Sequence, residues 1–284
     1  MTSAFCPSHI TCFFRPAASE RILEKGSRGA GIRLKEGTNV HMHEISGSTR
    51  ISIDREENEA RITRHLLETM APGRRFEVNI ECGLPPGQGF GMSASGVIAA
   101  ALCVSEILGK SRKEAFEAAH ISEVECGGGL GDVAALMHEI NAPIRIKEGM
   151  PPFGQVIDSG IVFERLTLVV LGKKMSTAEI LGDEERSKKI CEAGDTAMER
   201  FLRGNNKNIF DISRQFASDS GVMGEKVAAA IKKLEKNGAK ASMCMLGNSI
   251  FTDLPEGEVR DILGDVESYS TASTAEPARI TRKA

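Results

Sequence analysis

The 284-residue chain contains no tryptophan, a single tyrosine and few aromatic residues overall, 5%. A packed core must therefore rest on aliphatic side chains and phenylalanine, and there is no aromatic girdle of the kind that marks a membrane interface. No apolar stretch reaches spanning length without a charge or glycine break, and the first residues lack a basic region leading into an apolar one. Paired C-x-x-C spacing is also missing. The seven cysteines are odd in number and scattered, which excludes a disulfide framework or a zinc ribbon and favours reduced thiols. Nor is there an excess of one charge: a formal net charge of -3 gives no reason to expect nucleic acid or an anionic membrane as partner. With 41% hydrophobic and 26% charged residues, the composition is that of an ordinary globular protein, expected to be cytoplasmic.

What the chain does have is glycine in informative places. In Pro85-Pro86-Gly87-Gln88-Gly89-Phe90-Gly91-Met92-Ser93-Ala94-Ser95-Gly96, three glycines alternate ahead of an apolar, alanine-rich run over residues 97–104, closed by Gly109. That run reads as a buried helix. A glycine loop feeding a helix N-terminus presents unpaired N–H groups and the positive end of the helix dipole to an anion such as phosphate. Two commoner phosphate loops do not fit. Gly91 to Gly96 has P-loop spacing, but Val97-Ile98 stands where Lys-Ser/Thr is required. Gly87 and Gly89 begin a dinucleotide fingerprint whose third glycine position holds Met92, which disfavours a nicotinamide-dependent oxidoreductase.

Along the chain, residues 5–14 read as a strand running into a turn at Pro7. A second glycine cluster follows at residues 26–31, then β-like stretches at 40–45 and 51–53. Ile62, Leu66, Leu67 and Met70 are spaced for a helix over 56–70, and Phe76, Val78, Ile80 and Cys82 alternate as a half-buried strand. Ser111 with Glu114 forms a capping box that opens a helix to about Glu125. A further glycine loop, residues 127–131, leads to Asp132 and an apolar run over 133–137. Strands are expected at 142–146, 155–157, 166–171, 243–246 and 250–252, helices at 183–202 and 225–236, and a frayed tail from Ser268.

Ser93, Glu123 and Asp132 are the residue types that phosphoryl transfer needs: a hydroxyl and a carboxylate suited to magnesium beside phosphates, and an acid to orient or deprotonate the accepting hydroxyl. Each also has a purely structural reading. Ser93 and Asp132 could cap helices, Glu123 could be a solvated helix residue, and His9 a packed histidine. On a helix, Glu125 points about 200° away from Glu123, so only one of them faces a metal.

Three separated motifs resemble, in order, those of the GHMP kinases, the superfamily of galactokinase, homoserine kinase, mevalonate kinase and phosphomevalonate kinase. These are Pro7-Ser8-His9-Ile10-Thr11, then Pro86-Gly87-Gln88-Gly89-Phe90-Gly91-Met92-Ser93-Ala94, then Gly238-Ala239-Lys240-Ala241-Ser242 through Gly247-Asn248-Ser249. Within the superfamily, residues 5–14 together with His120, Glu123, Val124 and 129–133 most resemble the archaeal-type pantoate kinases. Departures are Ser8 and Cys12 at expected glycines, Met92 for the first serine of the loop, and a glycine-poor third motif.

The resemblance implies an α/β (α+β), GHMP kinase-like two-domain fold. A ribosomal protein S5 domain 2-like N-terminal domain would span 1–160 and a ferredoxin-like C-terminal domain 161–284. It implies ATP and Mg²⁺, with Pro86 through Ser95 on the nucleotide, Ser93 and Glu123 on the metal, and Asp132 as the catalytic acid or base. His9, Thr11, Arg15 and Arg28 would meet the substrate, pantoate, phosphorylated on its terminal hydroxyl in coenzyme A biosynthesis. Another kinase of the superfamily acting on mevalonate, homoserine or a sugar, and a non-catalytic nucleotide- and metabolite-binding relative, remain open on the sequence. A homodimer is compatible with the resemblance.

Overall fold

In the computed structural model, residues 1–175, 180, 182–204 and 209–283 are described. The first sheet is built on two unusually long strands, β1 (Thr2–Ala17) and β2 (Gly26–Glu44), paired antiparallel over nearly their whole length. Pro7, which lacks an N–H, does not end β1; the register shifts between Pro7 and Ser8, a bulge that accommodates the missing donor. The glycine cluster at 26–31 is strand rather than loop. A methyl on Gly31 would lie 2.2 Å from His9 Nε2, so glycine lets the two strands approach with a histidine between them.

Beyond β2 come β3 (Arg50–Ile53), β4 (Glu56–Glu57) and β5 (Phe76–Cys82); with the last strand of the chain, β12 (Arg279–Arg282), the order is β12-β1-β2-β5-β3-β4. A hairpin of β6 (Pro143–Lys147) and β7 (Gln155–Asp158) branches from β2. The helix expected over 56–70 is shorter, α1 (Arg61–Met70), because β4 and a left-handed Ala60 occupy its start.

Four helices pack with this sheet: α1, α2 (Met92–Leu108), α3 (Arg112–Glu125) and the short α4 (Asp132–Leu136). α2 is buried on nearly all sides, matching its uniformly apolar run, and ends at left-handed Gly109. The Ser111–Glu114 capping box is present at α3.

The second sheet holds β8 (Leu166–Val170), β9 (Ala241–Met243), β10 (Ser249–Thr252) and β11 (Glu267–Thr271), all antiparallel, in the order β11-β8-β10-β9. Numbered by appearance this is fourth-first-third-second, with helices α5 (Glu184–Arg203), α6 (Ile209–Asp219) and α7 (Glu225–Lys236) after the first strand and α8 (Glu256–Leu263) after the third, a ferredoxin-like arrangement. α6 and α8 were not anticipated from the sequence. Leu166 and Leu168 of β8 share one core with Ile10, Phe13 and Phe14 of β1, while Ala4 and Cys6 of β1 belong to the core under α2. β1 thus serves both.

The expected frayed tail is a correction: residues 272–274 and Ala278 are buried, and β12 (Arg279–Arg282) pairs with β1. Buried Arg33 donates to the Glu276 carbonyl and Arg112 to the Ala278 carbonyl, tying the polar tail down. Among the described residues, no helix is long and apolar enough to cross a membrane.

Candidate active site

The phosphate loop ends on left-handed Gly91, the N-cap of α2. A methyl there would come within 2.4 Å of the His9 carbonyl oxygen, so the loop lies directly on β1. Gly89 is equally constrained from the other sheet: its methyl would meet the Met245 carbonyl at 2.8 Å. The Ser249 hydroxyl donates to the Gln88 carbonyl over 2.5 Å. The third motif therefore buttresses the loop's backbone. Its Leu246, read from the sequence as strand, takes a left-handed φ of 63° and lines the cavity.

Ser93 lies in the first turn of α2, one residue after its start, and does not cap it. Its hydroxyl donates to Glu123 Oε1 at 2.5 Å, and the Gly129 N–H donates to Glu123 Oε2 at 2.5 Å. The choice between Glu123 and Glu125 is resolved by helix geometry: Glu123 points inward and is 1% exposed, whereas Glu125 faces solvent and pairs with His65 at 2.9 Å. Burial pushes the Glu123 carboxyl up to about 7, against the two hydrogen bonds that favour its charge, with Asp132 adding repulsion.

Asp132 opens α4 immediately after the loop of residues 127–131. His9 Nδ1–H donates to Asp132 Oδ1 at 2.9 Å and Thr11 Oγ1–H to the same oxygen at 3.1 Å. Burial works against the Asp132 charge, but the His9 hydrogen bond, the positive charge of Arg145 and the Thr11 bond hold its carboxyl below the usual range. Desolvation pushes His9 down, against the hydrogen bond and negative charge of Asp132, which Nδ1 faces. The Asp132 side chain stays 24% exposed, open to the cavity, while that of His9 is 0% exposed. His9, expected at the substrate, bonds to Asp132 and is not part of the cavity lining.

Phosphate loop, Ser93, Glu123, Asp132 and Thr11 line one cavity of about 400 Å³. Its apolar side is Phe14, Phe90, Leu130, Met175, Met245 and Leu246. A second cavity of about 450 Å³ adjoins it on the other side of the loop, lined by Pro86, Asn58, Ile53, Ile80 and Cys82 among others.

Four expected residues, Arg15, Arg28, Ser95 and Gln88, are outside the cavity lining. Arg28 donates to Asp195 on α5 at 2.6 Å and Arg15 to the same carboxylate at 3.4 Å, both outside the cavity lining. Their strand positions, at the end of β1 and the start of β2, put them against α5, where a carboxylate claims them. Ser95 turns from the loop: its hydroxyl donates to the Cys6 carbonyl at 2.6 Å and accepts from the Thr38 N–H. Gln88 is also buried, donating to the Gly172 carbonyl at 3.0 Å.

Sequence reasoning missed Arg145. It is 2% exposed on β6, lines the cavity, and donates through Nε to the Ser27 carbonyl at 3.2 Å, while Nη1 has no hydrogen-bond partner among the described residues. A buried guanidinium that lines a cavity and keeps an unpaired N–H has donor capacity suited to an anion. The signal was an arginine between Ile144 and Ile146, in the middle of an otherwise apolar strand.

Among the described residues no cluster of three metal-ligating side chains exists. Magnesium does not need one, since it takes one or two protein oxygens plus phosphate and water. The Ser93 hydroxyl and the high-pKa Glu123 carboxylate, adjacent at a helix N-terminus, have the donor chemistry for it.

A glycine-walled helix start facing two buried acids, set between a mixed sheet and a ferredoxin-like one, defines the class as a small-molecule kinase. Residues 59–139 match the GHMP kinases N terminal domain. The pantoate kinase of Thermococcus kodakarensis is 34% identical, covering 93% of this chain and 92% of its own, and that of Methanocaldococcus jannaschii 33%, covering 91% and 95%. A solved structure described as a phosphotransferase related to the CoA biosynthesis pathway superposes with a TM-score of 0.87 at 30% identity, covering 99% of this chain and 98% of that one. The chain belongs to the pantoate kinase family of the GHMP kinases, ATP-dependent phosphotransferases that act on a hydroxyl group.

Proposed function

We propose that this protein transfers the terminal phosphoryl group of ATP to the C4 hydroxyl of (R)-pantoate, giving ADP and 4-phosphopantoate for coenzyme A biosynthesis. The observation that carries the reading is the convergence, in one cavity, of the Ser93–Glu123 pair, Asp132 and Arg145, whose Nη1 has no hydrogen-bond partner among the described residues. Pantoate is a small hydroxy acid with a carboxylate at one end, two methyl groups in the middle and a primary hydroxyl at the other. Arg145 suits the carboxylate, Leu130 and Phe14 suit the methyls, and Asp132 suits the hydroxyl.

The nucleotide's phosphates lie on the loop 86–94 and the start of α2, whose N–H groups face charge that builds on the transferred group. Its base occupies the second cavity. Mg²⁺ held by Ser93 and Glu123 supplies neutralisation of phosphate charge when bound. Asp132, ionised and fixed by His9 and Thr11, orients the accepting hydroxyl and takes its proton as the new P–O bond forms and the bond to the ADP oxygen breaks. A low carboxyl pKa is adequate here, because the transition state is loose and the proton leaves late.

The division into 1–160 and 161–284 is retained, supported by the two sheets falling largely on either side of that point, with the tail returning to the first. A cytoplasmic location is supported by seven unpaired cysteines, and a small-molecule partner rather than nucleic acid by the net charge of -3. The test is ADP release by purified protein with Mg-ATP offered pantoate, mevalonate, homoserine and galactose separately. Turnover restricted to pantoate supports the reading; turnover on another acceptor, or on none, overturns it.

A further inference from the structure

The two cavities share five residues, Arg61, Gly87, Met92, Ser93 and Cys126. A nucleotide with its base in the second cavity and its terminal phosphate beside Ser93 must pass its phosphate chain through this junction. Only one of the five carries a charged side chain. Arg61 opens α1, exposed, and among the described residues neither a carboxylate within ion-pairing distance nor a side-chain hydrogen bond occupies its guanidinium. Left-handed Ala60, whose N–H is accepted by the Asn58 side chain at 2.9 Å, fixes the turn from which Arg61 departs. The Cys126 thiol, at the base of the 127–131 loop, donates to the Arg61 carbonyl at 3.9 Å, so the start of α1 lies against that loop.

We propose that Arg61 is a ligand of the nucleotide's phosphate chain, gripping it where it crosses from the base-side cavity to the transfer site. The inference rests on the reading of the second cavity as the base site. Neutralisation is needed there, since the chain carries several negative charges past one buried carboxylate, Glu123, and the α2 N-terminus supplies only partial positive charge. A planar guanidinium with five N–H donors can hold two phosphate oxygens at once.

The test compares wild type with Arg61→Met and Arg61→Lys by calorimetric titration of the β,γ-imido analogue of ATP with Mg²⁺ and of adenosine, alongside steady-state turnover. Loss of charge-assisted hydrogen bonds is expected to weaken the analogue roughly 10- to 100-fold in Arg61→Met and to lower kcat/KM for ATP, with adenosine moved less than about twofold. Arg61→Lys recovers part of the loss, and the thermal midpoint stays level because no protein partner is removed. Unchanged analogue affinity in Arg61→Met overturns the proposal, as does an equal loss for adenosine, which signals a structural role. Should wild type prove inactive on pantoate, the substrate reading fails while the two titrations still decide Arg61.

Discussion

His9 and Asp132, 123 positions apart in sequence, meet through a single hydrogen bond of 2.9 Å between Nδ1 and Oδ1, on a strand floor and a helix start respectively. That bond aims the carboxylate proposed to address the accepting hydroxyl. Removing it leaves a partly buried Asp132 with only Thr11 to orient it. His9→Ala is expected to lower kcat roughly 10-fold or more while Kd for Mg-ATP stays level, and His9→Asn, which keeps an N–H donor, should recover part of that loss. Gly31→Ala, whose methyl would strike the imidazole, should reproduce the His9→Ala defect. Equal activity across the series would show that Asp132 needs no orienting partner.

Glu123, pushed to about 7 by burial, makes a pH prediction with a definite sign. Its folded pKa exceeds the unfolded value near 4.5, so its contribution to stability is fully present below 4.5 and is lost as pH rises through 7. The loss is on the order of a few kcal/mol. Metal needs the carboxylate form, so affinity for Mg-ATP should climb through the same window, and kcat/KM should show an acid limb near 7. Glu123→Gln is expected to flatten the stability profile between pH 4.5 and 7, read by chemical denaturation, and to abolish the rise in Mg-ATP affinity. An unaltered stability slope would mean that Glu123 is not the group that titrates.

Arg145 and the Arg15–Arg28 pair make opposite predictions. Arg145→Met should raise KM for pantoate by roughly 100-fold with Kd for Mg-ATP unchanged, because Arg145 lines the cavity and its Nη1 has no hydrogen-bond partner among the described residues. Asp195→Asn frees Arg15 and Arg28 from a half-exposed carboxylate, an interaction contributing about 0–1 kcal/mol, and should leave KM for pantoate unchanged. The reverse pattern would return the carboxylate contact to Arg15 and Arg28.

The parts of the site that were legible in the sequence are local ones. Loop and helix start lie within ten residues of each other, and the opposed directions of Glu123 and Glu125 follow from 3.6 residues per turn. The capping box of α3 is likewise a three-residue signal. What escaped depends on pairing at long range. β1 and β2 continue through Pro7 and through a glycine cluster because each supplies the other's ladder, and the polar tail becomes β12 because β1 has a free edge at Ser3–Phe5. Arg145 reaches the cavity only through the pairing of β6 with β2, and Arg15 and Arg28 meet Asp195, a residue far along the chain.

The most direct test of the account is a single-turnover experiment with γ-phosphate-labelled ATP, Mg²⁺ and pantoate, comparing wild type with Asp132→Asn. Wild type should yield labelled 4-phosphopantoate, and the variant, deprived of the charge that holds and deprotonates the hydroxyl, should transfer label about 10²- to 10⁴-fold more slowly with Kd for Mg-ATP unaltered. Transfer by Asp132→Asn at the wild-type rate would contradict the account.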